Sequence, residues 1–454
     1  MRRFFNILPA AILAAGLSTF ASAETLTLAP GQLTQEVLDR AQDGDVIVLA
    51  AGEHRGPIRI QRGIVLKGDS GATLIGNGEG SVIGVYGPGV EIRGLTIKGS
   101  GHDLQAMNSG IYLDKTAERA LVEDNRIIGN LFGVYVHGAA GTRVLNNVIE
   151  GLQNIRLAEA GNGVSVWNAP DVTIGGNTIR YGRDGIFTVS SRKDRFINNR
   201  FEKVRFAVHY MYTNDSEVSG NVSIQNHVGY AIMYSNRLRI SNNVSYRDRD
   251  HGLLFNYANF ARIEGNLVAG GLRDDTSGTQ EVANDERGML PAASSSTQAG
   301  ARSGPGKCVF IYNANRNQFR NNWFEHCEIG VHFTAGSEGN EITGNAFVGN
   351  RNQVKYVGTR NLDWSKDGRG NYWSDNPAFD LNGDGVADTA YRPNDLVDRV
   401  LWTAPSAKIL INSPAVQVLR WAQAQFPALY PGGVVDTHPL IAPPPRPYAG
   451  RSLP

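Results

Sequence analysis

The stretch Asn199-Arg200-Phe201 returns 22 residues later as Asn221-Val222-Ser223, and after another 22 residues as Asn243-Val244-Ser245. The same pattern, an asparagine before a short strand-forming segment, occurs at Asn125, Asn147, Asn177, Asn199, Asn221, Asn243, Asn266, Asn322 and Asn345. The successive gaps are 22, 30, 22, 22, 22, 23, 56 and 23 residues. A period of this size is typical of one coil of a three-sided solenoid. The sequence therefore predicts an all-β fold, a right-handed parallel β-helix.

The stacking of coils gives this repeat a physical reason. Each coil would contain three short strands, and backbone hydrogen bonds would join coils that lie about 4.8 Å apart. An asparagine at the same place in every coil can donate its side-chain amide to the next one. The resulting ladder satisfies polar groups inside a turn, where asparagine also tolerates the left-handed backbone.

A second β pattern follows each asparagine after a few residues, as in Gly133-Val134-Tyr135-Val136 and Ala207-Val208-His209-Tyr210. Because successive side chains on a strand point to opposite faces, the residue after the inward Val or Ile faces outward. The predicted outward residues are Tyr112, Tyr135, Ser165, Phe187, His209, Met233, Leu254, Phe310 and His332, with Met211 two residues after His209. A solvated face would carry Thr, Lys, Ser and Glu, so this apolar stripe is typical of a binding surface.

Three interpretations of the outward stripe remain open. In the first, a loop or the C-terminal segment simply covers it. In the second, it docks another protein. The contact residues would then be Tyr112, Tyr135, Phe187 and Phe310. In the third, it also handles copper, because imidazole and thioether groups are suitable copper ligands and thioethers favour the cuprous ion. The copper candidates are His209, Met211, Met233 and His332.

The N-terminal residues 1–23 have the pattern of a signal peptide. Arg2 and Arg3 precede an apolar run, and Ala21-Ser22-Ala23 forms a small-x-small cleavage signal before Glu24. We therefore expect an exported mature chain. The net charge of +1 argues against a nucleic-acid partner.

The mature chain divides into a β-helix over residues 24–357 and a C-terminal extension over residues 358–454. A helix over 34–41 is predicted to cap the open N-terminal end of the solenoid. Residues 271–305 are rich in Gly, Ser, Asp, Thr and Ala, and we expect a flexible surface insertion there. In the extension, Ser413 and Pro414 predict the start of a helix over 413–426 that contains Trp421.

The segment from Asp380 to Asp388 resembles the first part of an EF-hand calcium loop. The oxygen-bearing residues at loop positions 1, 3, 5 and 9 are Asp380, Asn382, Asp384 and Asp388. Gly385 occupies position 6, but Tyr391 stands where the bidentate Glu of position 12 belongs. Calcium in a structural role and a plain polar turn both fit this pattern.

Asp248-Arg249-Asp250-His251 is the best catalytic candidate. Polysaccharide lyases and uronate C5-epimerases need a base, an acid and a cation that neutralises a carboxylate. The alternative is an ordinary charged turn between coils. The two cysteines, Cys308 and Cys327, leave both a disulfide and buried thiols open.

The chain resembles the NosD family of periplasmic proteins, which are needed for maturation of nitrous oxide reductase. The motifs that carry this resemblance are Ala207-Val208-His209-Tyr210-Met211-Tyr212-Thr213-Asn214-Asp215, Tyr230–Asn236, Val309–Asn315, Gly330–Gly336, Gly370-Asn371-Tyr372-Trp373-Ser374-Asp375, Tyr391–Asp395 and Gly432–Asp436. The 271–305 insertion is longer than the family pattern. The resemblance covers nearly the whole mature chain.

The resemblance implies a periplasmic accessory role rather than an enzymatic one. Its expected partners are the membrane subunit and the ATPase of an ABC transporter, a copper chaperone as donor, and nitrous oxide reductase as recipient. The helix near Trp421 is our candidate for docking to the membrane subunit. A uronate-active β-helix that depends on Asp250 and His251 is the alternative function.

Overall fold

The computed structural model describes residues 23–153, 155–272, 306–334, 336–410, 413–426 and 432–448. The predicted signal peptide, apart from Ala23, lies outside the described residues. The predicted insertion 271–305 also lies outside them after its first two residues.

Three parallel sheets run the length of the described chain, and each coil contributes one strand to each sheet, as predicted. Sheet 1 contains Thr25–Leu28, Val46–Leu49, Val65–Gly68, Glu91–Arg93, Leu121–Glu123, Arg143–Leu145, Thr173–Gly175, Arg195–Ile197, Glu217–Ser219, Arg239–Ser241, Arg262–Glu264, Gln318–Arg320 and Glu341–Thr343. Sheet 2 contains Gly52–Arg55, Ala72–Ile75, Thr96–Lys98, Arg126–Asn130, Val148–Gly151, Thr178–Arg180, Arg200–Glu202, Val222–Ile224, Val244–Tyr246, Leu267–Ala269, Trp323–Glu325, Ala346–Val348 and Tyr372–Trp373. Sheet 3 contains Ile58–Ile60, Ile83–Val85, Ser109–Leu113, Phe132–His137, Val164–Trp167, Asp184–Val189, Phe206–Met211, Val228–Met233, His251–Asn256, Lys307–Tyr312, Ile329–Thr334 and Asn352–Val357. The fold is a parallel β-helix.

One continuous apolar core fills the solenoid from Leu28 to Val434. Most inward residues are Val, Ile, Leu and Phe, but Tyr210 and Tyr230 are also fully buried there. The Tyr230 hydroxyl donates to the backbone oxygens of Asn221 and Val244, both at 2.9 Å. A tyrosine can therefore occupy an inward position because its polar end finds acceptors on the backbone.

The asparagine ladder is present as predicted. In each step the Nδ2 of one asparagine donates to the Oδ1 of the next at 2.9–3.1 Å. The ladder residues are Asn125, Asn147, Asn177, Asn199, Asn221, Asn243, Asn266, Asn322, Asn345 and Asn371. Asn371 extends the ladder one coil beyond the nine asparagines that the period identified.

Asp436 closes the ladder at its C-terminal end. Its Oδ2 accepts from the backbone N–H of Asn371 at 2.7 Å and from the indole N–H of Trp373 at 2.8 Å. The strand Val434–Val435 brings Asp436 there by pairing with Leu362–Asp363. Sheet 2 also continues to Tyr372–Trp373, so strand pairing reaches past residue 357, the predicted end of the β-helix.

Three α-helices flank the solenoid in the described chain. The helix α1 (Gln35–Arg40), with Thr34 as its N-cap, packs at the N-terminal end as predicted. The helix α2 (Leu396–Thr403) was not predicted; its Asp395 N-cap and Asp398 form a capping box. The helix α3 (Pro414–Gln425) begins after Ser413 as predicted. A short 3-10 helix spans Pro405–Leu410.

Cys308 and Cys327 form a disulfide with a Cα–Cα distance of 5.6 Å. Both residues are buried, so the structure selects the disulfide from the two alternatives that the sequence left open. None of the helices in the described ranges combines the length and the apolar character that crossing a membrane requires.

Candidate functional site

The outward side of sheet 3 carries two rows of aligned residues. In the central row, aligned Cα partners are Tyr112, Tyr135, Ser165, Phe187, His209, Ala231, Leu254, Phe310, His332 and Lys355. In the side row, two residues further along each strand, they are His137, Trp167, Val189, Met211, Met233, Asn256 and Tyr312.

Met233 does not lie where the sequence pattern placed it. The central-row residue opposite His209 is Ala231, whereas Met233 is the direct partner of Met211 in the side row. The prediction aligned Ala231 with Ala207, but Gly229 holds that place. A Cβ on Gly229 would come within 2.6 Å of the Gly252 carbonyl oxygen. The error arose because Tyr230, not an aliphatic residue, fills the inward position of this coil.

His209 is held by a buried carboxylate from the preceding coil. Its Nδ1 lies 3.0 Å from Asp184 Oδ2, and Asp184 also accepts two hydrogen bonds from Arg205, at 2.8 and 2.7 Å. The His209 ring packs against Phe187 and Phe206, with centroid distances of 5.0 and 4.9 Å. The imidazole is therefore fixed in orientation, and Asp184 is the residue that sequence reasoning missed.

The Nε2 atom of His209 is buried and has no hydrogen-bond partner in the described chain. Buried polar atoms are normally paired, so an orphaned ring nitrogen calls for an explanation. With Nδ1 directed at a carboxylate, the neutral ring keeps its lone pair on Nε2, the arrangement that carboxylates impose on metal-binding histidines.

The electrostatics around Asp184 depend on these partners. Burial alone raises the pKa of this carboxyl, but the hydrogen bonds from His209 and Arg205, with the charge of Arg205, lower it below its usual value. Asp184 is therefore ionised at neutral pH. Its charge is balanced by Arg205, so the site can accept one further cation near His209 without a large repulsion.

Met211 and Met233 are half-buried strand partners: Met211 lies two residues after His209 on the same strand, and Met233 lies on the next strand. The next residue in each coil is a tyrosine in the left-handed region, with φ of 50° at Tyr212 and 49° at Tyr234. These rings stack at 5.0 Å, and Tyr257 extends the stack at 5.1 Å. A left-handed backbone is costly for a large side chain, so these exposed rings mark a strained edge beside the thioethers.

His332 is not brought together with the other copper candidates. It lies three strands from Met233 in sheet 3, which corresponds to about 14 Å. Burial, followed by the charges of Lys307 and Lys355, lowers the pKa of His332 to about 3. Two nearby ammonium groups would oppose a metal cation, so His332 belongs to a different environment.

The predicted contact residues are all on the outward face and half-buried. Tyr112 and Tyr135 stack at 6.0 Å, and burial raises the pKa of Tyr112 to about 12. Phe187 packs on His209, and Phe310 lies between the rings of His251 and His332, at 5.3 and 5.1 Å. Phe187 and Phe310 are therefore in direct contact with the histidine rings of this face.

The side chains of the catalytic candidate, Asp248 to His251, point into different environments. Asp248 is buried, where it accepts from the Asn226 backbone N–H at 2.8 Å and from the Ser245 hydroxyl at 2.6 Å. Asp250 instead faces solvent beside His227, and His251 stacks on Phe310. Asp248 therefore has a structural role in the turn, which is the alternative that the sequence left open.

The four predicted calcium ligands lie in one exposed loop. Asp380 accepts backbone N–H groups from Gly383 at 2.6 Å and Gly385 at 2.8 Å, which lowers its pKa. Asn382 donates to Asp384 at 3.0 Å, and Asp388 accepts from the backbone of Leu381 at 2.7 Å. A search of the described ranges finds no group of three or more His, Cys, Asp or Glu side chains arranged to hold a metal ion. Calcium stays a prediction.

Trp421 is 62% exposed on α3, beside the exposed Val418 and Leu419. The 3-10 helix adds the exposed Ile409 and Leu410. The C-terminal extension thus carries several exposed large apolar side chains, of the kind found at interaction sites.

Comparison with known proteins gives a consistent result. The family model described as "Periplasmic copper-binding protein (NosD)" matches residues 146–378, and a family of unknown function, DUF1565, matches residues 31–244. Two relatives are named "Probable ABC transporter binding protein NosD". The one from Stutzerimonas stutzeri is 40% identical over 87% of this chain and 86% of its own length. The one from Pseudomonas aeruginosa is 39% identical over 88% of this chain and 89% of its own length.

Among solved structures, the surface adhesin PfbA of Streptococcus pneumoniae is similar over 71% of this chain and 87% of its own, with a TM-score of 0.47 and 10% identity. The family model covers more than half of the chain, and the two relatives match 87% and 88% of it. The chain belongs to the NosD family.

Proposed function

We propose that this protein is a periplasmic accessory protein that helps to assemble the copper centre of nitrous oxide reductase. It works as a rigid docking scaffold for an ABC transporter, and it passes cuprous copper along the outward face of sheet 3. The description of its family as periplasmic and copper-binding supports this proposal, and so do the names of its two relatives.

The observations that carry the copper part are the orphaned Nε2 of His209 and the pairing of Met211 with Met233 two residues further along the same outward face. Imidazole and thioether groups are soft, neutral ligands that suit the cuprous ion. Asp184 orients the ring, and Arg205 balances the carboxylate, so binding one Cu⁺ adds a single charge to an otherwise neutral cluster. Few neutral ligands give a site that releases its ion easily, which fits a cargo in transit.

The exposed apolar residues of α3 support the docking part. Val418, Leu419 and Trp421 would seat against the membrane subunit of the transporter, whose ATPase supplies the energy for conformational change. A copper chaperone would deliver the ion to sheet 3 and the reductase would receive it. We also propose that the 380–388 loop binds calcium in a structural role, which a calcium-dependent rise in Tm would test.

Anaerobic competition against a chromophoric Cu⁺ chelator tests the copper site directly. Wild-type protein should withdraw one equivalent of Cu⁺. Met211→Leu with Met233→Leu, or His209→Gln alone, should weaken binding by at least about tenfold, since one ligand interaction of 1.4 kcal/mol changes affinity by that factor. The Met→Leu changes conserve volume, so the fold should persist.

His332→Gln is the matched control, because it removes an outward imidazole from the same row without touching the proposed ligands. It should leave Cu⁺ affinity unchanged. The copper content of nitrous oxide reductase from cells carrying each variant gives the second readout. Equal Cu⁺ affinity in wild type and the methionine double variant would refute the site.

A further inference from the structure

The C-terminal part of the sheet 3 face contains a cluster of two lysines and two histidines that the proposed copper site does not use, and the pKa of each histidine is lowered to about 3, so the positive charge comes from the lysines. This lysine cluster consists of Lys307, Lys355, His251 and His332, with the Phe310 ring at its centre. Lys307 Nζ lies 5.2 Å from the Phe310 centroid, and the two imidazoles pack on that ring from both sides. Lys355 is the direct strand partner of His332 and lies 5.9 Å from the Trp402 centroid on α2.

The ammonium groups of the lysine cluster lack a matching carboxylate. Neither Lys307 nor Lys355 makes an ion pair within the ranges that the structure describes. Asp250 is the acidic group that acts on Lys307, but its Oδ2 lies 3.9 Å from His227 and its side chain is 55% exposed. Burial lowers the pKa of both lysines, and the charge of Lys355 lowers that of Lys307 further.

The imidazoles of the cluster also have unused hydrogen-bonding atoms. The Nδ1 atoms of His251 and His332 are buried without a partner in the described chain, and so is Oδ1 of Asn256 on the neighbouring row. Half-buried ammonium donors and orphaned ring nitrogens on one aromatic patch are the polar groups of an incomplete site. Partly buried charges of one sign are costly unless a partner of the opposite sign joins them.

We infer that the lysine cluster is a binding site for an oxyanion, a carboxylate or phosphate group held between Lys307 and Lys355. The two ammonium groups come from strands on either side of Ile329–Thr334 and are close enough to act on each other electrostatically, so one oxyanion can offer an oxygen to each. Phe310 and Trp402 bound the site on its apolar sides and exclude water from the ion pairs, which strengthens them. This inference goes beyond the copper proposal and does not depend on it.

Isothermal titration calorimetry of the full mature protein tests the site with two probes, inorganic phosphate and a hexaglutamate peptide. The variants are Lys307→Met and Lys355→Met, which keep the aliphatic stem and remove the charge. Lys203→Met is the matched control, because Lys203 also lies over a ring, 5.2 Å from the Tyr181 centroid, but is exposed in the turn that follows the sheet 2 strand Arg200–Glu202. Circular dichroism and thermal melts establish that each variant is folded.

Saturable binding of either probe, weakened at least tenfold by Lys307→Met and by Lys355→Met but not by Lys203→Met, would support the inference. Phosphate binding alone would identify a small oxyanion as the ligand, and peptide binding alone an acidic segment of a protein. If neither probe binds saturably, or if all three variants bind like wild type, the inference is wrong. Should a Met variant not fold, Lys→Gln at the same position replaces it. Because Cu⁺ is absent from both titrations, failure here leaves the copper proposal standing.

Discussion

Two histidines in the central row of sheet 3, His209 and His332, lie on the same face of the same repeat and have opposite surroundings. His209 has a buried carboxylate at its Nδ1. His332 has the positive charges of Lys307 and Lys355 nearby. One repeat position can therefore favour a cation in one coil and an anion in another, because the neighbouring coils, and not the strand itself, set the charge around it.

The largest expected effect of breaking this difference is on stability. Asp184→Ala leaves Arg205 and His209 without their buried partner, which should cost about 3 kcal/mol in the free energy of unfolding. Urea unfolding measures it. The matched control is Asp215→Ala, which removes an exposed pair with Arg237 between coils and should cost less than about 1 kcal/mol.

The same carboxyl predicts a pH dependence. Its pKa is lower in the folded state than its ordinary value of 3.8, so its contribution is fully present above that value and is lost as the pH falls below it. The stability difference between Asp184→Ala and wild type should therefore narrow as the pH falls below 3.8. A difference that stayed constant from pH 7 to pH 3 would contradict the assignment.

A smaller effect is expected on copper binding when only the charge is removed. Asp184→Asn keeps the shape but weakens the orientation and basicity of His209, so Cu⁺ affinity should fall about 10- to 100-fold, as outer-shell changes usually do. The chelator competition measures it, and Asp184→Glu should restore part of the loss. Equal losses in the Asn and Glu variants would indicate a merely structural role for Asp184.

The smallest expected effect is on the pKa of His332, the histidine that lies near the two lysines. Replacing Lys307 and Lys355 by Met should raise the pKa of His332 above about 3, because protonation no longer meets two positive charges. It should stay below the ordinary 6.5, since the ring remains buried. Titration of the imidazole proton resonances by NMR checks this. An unchanged His332 titration would show that burial alone determines its pKa.

The sequence alone was sufficient to predict the coils, because a ladder of stacked amides requires an asparagine at the same place in every coil. The predicted outward rows followed from alternation wherever an aliphatic residue filled the inward position. The alternation gave the wrong register at Tyr230, because the inward position holds a tyrosine whose hydroxyl donates to backbone acceptors inside the core. A single register error of this kind moved Met233 from one row to the next.

The candidate site was less accessible to sequence reasoning. Asp184 precedes His209 by 25 residues and belongs to another coil, so no local motif joins the two. Lys307 and Lys355 come from strands that are separated by one further strand. An alignment of successive coils by strand register, with the charged residues marked, could have found both groupings.

The asparagine ladder gives the solenoid an electric dipole along its axis. All its amides donate in the same direction, from each coil to the next one along the chain, so their dipoles add instead of cancelling. The positive end of this array points to the C-terminal coil, where the Asp436 carboxyl receives it, as an acidic group does at the start of a helix. The solenoid is therefore polar along its axis, and its two ends present different potentials to whatever meets them.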